Sequence, residues 1–151
     1  SKPRWMRGLG EILSEPVRVP PLHAVLVFPG VPLATKDVFA AFHQNGARDT
    51  TAVPASSAFS EPDGEIAPST LLEWLARQCN DLEPAAIARL PVIAEVLGAL
   101  RAQGGCALAR MSGSGSACFA IFASQENAAA GARTLAVRKD WWVEETNIGG
   151  A

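Results

Sequence analysis

Two strand-sized apolar runs, 107–111 (ALARM) and 117–123 (ACFAIFA), are separated by Ser112-Gly113-Ser114-Gly115-Ser116. So short an interruption cannot hold a crossover, which needs a dozen or more residues, so the runs must fold back on each other as an antiparallel hairpin. The interruption also has chemical character. Glycine permits positive φ and lets backbone N–H groups approach an anion, and serine hydroxyls add donors. The pattern lacks the lysine and spacing of a GxxxxGK[ST] phosphate loop, and it is not GxGxxG. Spacing alone therefore favours an ordinary hairpin turn over a ligand loop, and leaves both open.

The rest of the chain supplies partners for that hairpin. Leu22–Phe28 (LHAVLVF) is a continuous apolar run ended by Pro29-Gly30, as expected of a strand buried on both faces. From Thr35 the period becomes helical, with Val38, Phe39 and Phe42 on one face, Thr35 as N-cap and Asn45-Gly46 as the stop. Ala47–Ala67 is rich in Ala, Ser, Thr, Pro and Asp and reads as an exposed, mobile loop. Helical stretches follow at Ser69–Gln78, after Asn80-Asp81-Leu82-Glu83-Pro84 with Asp81 as cap, and at Pro91–Gln103, whose Ile93, Val96, Leu97 and Leu100 form one amphipathic face. Ser124 caps an Ala-rich helix to about Arg138, and Trp141–Ile148 reads as a last strand. Met6–Leu13 reads as a short strand or entry segment, and Pro16, Pro20 and Pro21 exclude helix after it. The order β, helices, β, β, α, β is a ferredoxin-like α+β domain: a split βαβ with a four-stranded antiparallel sheet and extra helices in the first crossover.

Composition excludes several function classes. The net charge is −2 and the basic residues form no run, which argues against nucleic-acid or membrane-surface binding. No apolar stretch approaches the ~20 residues that span a bilayer. Cys79, Cys106 and Cys118 are odd in number and lack metal-ligand spacing, so buried free thiols in a reducing cytoplasm are expected, and no metal site. His23 and His43 form no metal-binding pair. Catalytic candidates are few, with Glu73, Glu83 and Glu95 expected on solvated helix faces and no Ser/His/Asp or Cys/His set.

At Arg110-Met111-Ser112-Gly113-Ser114-Gly115-Ser116-Ala117-Cys118-Phe119-Ala120 the sequence resembles the third motif of the superfamily that includes galactokinase, homoserine kinase and mevalonate kinase. Within it, the nearest resemblance is to the kinases of the non-mevalonate isoprenoid route that act on a cytidylylated methylerythritol. Four more segments agree, in the family's order: Met6-Arg7-Gly8-Leu9-Gly10-Glu11; Val27-Phe28-Pro29-Gly30-Val31-Pro32 with Thr35 and Phe39; Asn80-Asp81-Leu82-Glu83; and Trp141-Trp142-Val143.

The resemblance implies a two-domain enzyme that moves the γ-phosphate of ATP, with Mg2+, to the 2-hydroxyl of cytidine diphosphate methylerythritol. It assigns 1–151 to the C-terminal, substrate-side domain. The glycine-rich ATP loop, the lysine and the catalytic aspartate belong to an N-terminal domain that this chain lacks. The expectation is accordingly no catalytic residue, no bound cofactor and no kinase activity in this chain alone, with self-association through the face where that domain would pack. By the same resemblance Phe39 is the aromatic that stacks on cytosine, Thr35 contacts substrate, and Ser112, Gly113, Ser114, Gly115 and Ser116 line the cleft near the phosphates. From spacing alone, Phe39 is a core residue and Thr35 a simple cap. Two alternatives remain: another kinase of the superfamily with a different small alcohol, separable by cytidine nucleotide binding, and a stand-alone ferredoxin-like ligand-binding or interaction module, separable by the upstream reading frame.

Overall fold

The computed structural model describes residues 4–7, 12–16, 18–44 and 66–150. Strands β1 (Arg4–Arg7) and β2 (Ile12–Pro16) pair antiparallel as a separate two-stranded sheet. Where one short strand or entry segment is expected at Met6–Leu13, the chain thus divides into two. The main sheet comprises β3 (Leu22–Phe28), β4 (Cys106–Met111), β5 (Cys118–Phe122) and β6 (Trp142–Ile148). Helices α1 (Thr35–Gln44), α2 (Pro68–Arg77), α3 (Glu83–Arg89) and α4 (Val92–Arg101) lie between β3 and β4, and α5 (Gln125–Leu135) between β5 and β6.

The strand order is β4-β5-β3-β6, with every neighbouring pair antiparallel. The β4–β5 hairpin closes locally, β5 inserts between β3 and β4, and β6 returns to the far side of β3. This is the split βαβ arrangement. Registers such as Val25↔Ala120 and Val25↔Glu145 place β3 at the centre. Its continuous apolar run follows from that place, since both of its faces are covered.

One face packs Val25, Val27, Ala120 and Phe122 against Ile93, Val96, Leu97 and Leu100 of α4, together with Val38, Ala128 and Trp141. All four expected α4 residues are buried. Gly131 lets α5 approach the sheet, because a Cβ there would meet the Phe122 ring at 3.0 Å. On the other face Leu22 and Ile121 pack with Ile66 and Leu71, and Leu72, Trp74 and Leu75 of α2 join them. Arg138 stacks over Trp141 at 4.2 Å and lies 3.6 Å from Glu95 and 3.7 Å from Asp140, tying the entry of β6 to α4.

Several local expectations change. Ser124 does cap α5, accepting from the Asn127 amide, but the helix ends at Leu135 rather than near Arg138. Asp81 caps nothing: Leu82 holds the N-cap of α3 with no side-chain bond, and the Asp81 carboxylate accepts from the Cys79 thiol at 3.3 Å. Cys79 is exposed rather than buried, Cys106 is half-buried and Cys118 buried. Of the Ala47–Ala67 segment, 47–65 lie outside the described residues, as does the Asn45-Gly46 stop, while Ile66 is core. No described helix is long and apolar enough to cross a membrane.

Candidate functional site

The Gly/Ser turn is closed by the Ser112 amide donating to the Ala117 carbonyl and the Gly115 amide donating to the Ser112 carbonyl, each at 2.9 Å. Gly113 (φ 55°) and Gly115 (φ 87°) sit in the left-handed region, where other residues are strained. A Cβ on Gly115 would also meet Met111 Sδ at 2.8 Å. The turn is fastened to its surroundings by its serines. Ser116, 3% exposed, donates to the Val31 carbonyl at 2.5 Å. Ser114 Oγ and Thr35 Oγ1 share a hydrogen bond of 2.8 Å. Among the described residues, the amides of Gly113, Ser114 and Ser116 have no protein acceptor.

Thr35 is not the helix cap. The Ala34 carbonyl accepts from Asp37 (2.9 Å) and Val38 (3.3 Å), so Ala34 takes the capping position and Thr35 opens the first turn. Its hydroxyl is thereby turned to the Gly/Ser turn instead of to its own helix. Phe39 lies one turn further, at i+4 from Thr35, and the two share a face. Phe39 is 44% exposed, while Val38 and Ala41 take the core side. The core reading of Phe39 is overturned, and an exposed aromatic stands on the helix that Thr35 joins to the turn.

Two residues at the entry to α3 hold this arrangement together. Asn80 Nδ2 donates to the carbonyls of Met111 (3.1 Å) and Gly113 (2.8 Å), while its Oδ1 accepts from the Leu82 amide at 3.1 Å. Glu83, expected on a solvated face, accepts from the Met111 amide at 3.1 Å and lies 3.8 Å from Arg101. The one signal that marked them was the Asn80-Asp81-Leu82-Glu83 segment. Arg110 donates to the carbonyls of Leu75 (3.1 Å) and Gln78 (2.5 Å), anchoring the end of α2 on β4.

The cysteines near the turn are set against ionisation. Burial, with the Glu83 carboxylate adding to it, pushes the Cys118 thiol up to about 12. The hydrogen bond to Asp81 chiefly raises Cys79, and burial raises Cys106. A cavity of about 290 Å³ lies along β4, lined by Gln78, Cys79, Asn80, Glu83, Arg101 and Arg110 among others; Thr35, Phe39 and the turn do not line it.

Residues 66–138 match the family model described as "GHMP kinases C terminal". Proteins named 4-diphosphocytidyl-2-C-methyl-D-erythritol kinase are similar over nearly the whole chain. That of Dinoroseobacter shibae is 44% identical over 142 residues, covering 93% of this chain and 47% of the relative. That of Rhodopseudomonas palustris is 46% identical over 152 residues, covering 98% and 50%. Residues 66–138 are thus similar to the C-terminal domain of the GHMP kinases.

A crystal structure of 4-(cytidine 5'-diphospho)-2C-methyl-D-erythritol kinase superposes with a TM-score of 0.70 at 31% identity, covering 98% of this chain and 50% of that one. Mevalonate kinase of L. major superposes with a TM-score of 0.59 at 13% identity, a likeness of fold alone. The chain spans about half the length of the curated relatives it matches. The family match takes in α2 through α5 and the Gly/Ser turn. Thr35 and Phe39 lie outside it.

Proposed function

We propose that this chain forms the substrate-side half of a kinase that transfers the γ-phosphate of ATP to the 2-hydroxyl of cytidine diphosphate methylerythritol. The observation that carries the reading is the 2.8 Å bond between Thr35 and Ser114. It makes one surface of an exposed aromatic, a hydroxyl and a glycine-rich turn with acceptor-free amides, in a chain whose relatives bear that kinase's name. Phe39 stacks on the cytosine ring, an attraction of about 1–3 kcal/mol for base–aromatic stacking. Thr35 holds the substrate beside the turn. The acceptor-free amides of the turn, those of Gly113 and Ser114 among them, face phosphate oxygens, where fixed donors stabilise the charge of phosphoryl transfer.

The nucleotide site and the catalytic groups belong to a further half, for which the relatives' length leaves room. ATP supplies the phosphoryl group there. Mg2+ accompanies ATP in that half. A cytoplasmic setting belongs to the same proposal, supported by three cysteines that stand as free thiols.

The test is a titration of the 15N-labelled chain with CDP, and in parallel with mevalonate and homoserine. Saturable shifts at Thr35, Phe39 and Ser112–Ser116 with CDP alone are expected. Equal responses to mevalonate or homoserine would support another kinase of the superfamily, and CDP shifts confined to the cavity along β4 would contradict the proposed site.

A further inference from the structure

We infer that Asn80 is a positioning residue that sets the direction of the Ser114 amide in the Gly/Ser turn. Its carboxamide uses both donors on one strand-turn unit, the carbonyls of Met111 and Gly113, while its oxygen accepts from Leu82 at the entry to α3. Only this orientation of the carboxamide is chemically consistent. The reverse would face an oxygen to two carbonyl oxygens and an NH2 to an N–H.

The consequence follows from peptide planarity. In a trans peptide the C=O of one residue and the N–H of the next point in opposite directions. Holding the Met111 carbonyl toward Asn80 directs the Ser112 amide away from it, where it meets the Ala117 carbonyl and closes the hairpin. Holding the Gly113 carbonyl toward Asn80 likewise directs the Ser114 amide away, and that amide has no protein acceptor among the described residues. Gly113 has no Cβ to restrict this peptide, and a Cβ there would touch nothing within 4 Å. No side chain sets this peptide, and beside the Ser112–Gly115 bond that closes the turn and the Ser114–Thr35 bond, the Asn80 bond fixes which way its carbonyl points. Glu83, which accepts from the Met111 amide, steadies the strand from which the turn leaves.

The importance of this amide for ligand binding rests on the proposed reading of the turn as a phosphate site; the role of Asn80 does not. The discriminating variant is Asn80→Asp, which keeps the acceptor for Leu82 and replaces both donors by an oxygen that the two carbonyls repel. In 1H–15N spectra of the whole chain, with the melting temperature recorded, the Ser114 amide is expected to shift and change its exchange rate while amides of α4 and β3 stay in place. Pyrophosphate, followed at the same amide, should bind about tenfold more weakly, the equivalent of one hydrogen bond to a charged group. An unchanged Ser114 amide in the folded variant would overturn the inference.

If Asn80→Asp does not fold, the wild type decides. The Asn80 side-chain amide protons should exchange more slowly than those of exposed Gln125, and equal rates would overturn the inference. A wild-type Ser114 amide indifferent to pyrophosphate contradicts the phosphate reading of the turn, and the positioning role is then judged on the amide's shift and exchange alone.

Discussion

Phe39 and Val38 are neighbours in sequence with opposite fates. Val38 is fully buried and Phe39 is 44% exposed, although both fit the apolar face that starts at Thr35. Helical spacing fixes which residues share a face, but not which edge of that face meets the core, and here Ala41 rather than Phe39 completes the buried side. Phe39→Ala should therefore change stability by no more than about 0.5 kcal/mol, as at other exposed positions, while CDP binding weakens markedly. Thermal unfolding and a CDP titration check the two together. Glu83 and Asp81 mislead in the same way. Their types suit a solvated face and a cap, and only the folded neighbourhood turns them to the Met111 amide and the Cys79 thiol.

Cys118 makes a pH-dependent prediction at this scale. Its thiol is pushed from an ordinary 9.0 to about 12, first by burial and then by Glu83. The unfolded chain therefore loses this proton at lower pH than the folded one. The stabilisation is complete below pH 9 and declines as pH rises from there toward 12. Urea unfolding across that window should show falling stability, and Cys118→Ala should flatten the slope at the cost of some core packing. An unchanged slope in the variant would place the alkaline loss elsewhere.

Two glycines test the elements. Gly115 holds a positive φ and stands against Met111, so Gly115→Ala should destabilise by about 1–3 kcal/mol, the usual cost of a strained backbone residue. Gly98 sits exposed within α4, where an added Cβ would meet nothing within 4 Å. Gly98→Ala should stabilise by about 0.5–1 kcal/mol through helix propensity. Paired melting curves separate the glycine the fold requires from the one it tolerates. The strands and the α4 face were legible because burial leaves a strong periodic mark. The start of α1 was not, because a threonine beside a helix start suits a cap as well as a hydroxyl turned to another segment. The Ala34 carbonyl at the capping position and the 2.8 Å contact with Ser114 distinguish the two.

The whole sheet was readable from the order of its elements, since a short hairpin between two longer connections admits few antiparallel arrangements. The site was less so. Its parts come from Thr35, Phe39, Asn80, Glu83 and the 112–116 turn, and no local pattern predicts that a helix start, a connection and a hairpin tip will meet. The resemblance to a kinase family brought Thr35, Phe39 and the turn together, but it gave no role to Asn80 or Glu83. At this scale Trp142 and Ile148 also stand exposed on edge strand β6, with charged Glu144 between them. The self-association expected from the sequence, if it uses this edge, should show as reversible dimerisation in sedimentation that Trp142→Glu weakens. A strictly monomeric species at high concentration would remove it.

The most direct measurement is the kinetics of phosphate transfer from ATP by a protein that joins this chain to the nucleotide-binding half its relatives have room for. Phosphorylation of cytidine diphosphate methylerythritol is the expected result. Phe39→Ala should raise the KM for that substrate about tenfold, as the loss of one stacking contact implies, and leave the KM for ATP in place. A preference for mevalonate or homoserine, or a KM indifferent to Phe39, would contradict the proposed function.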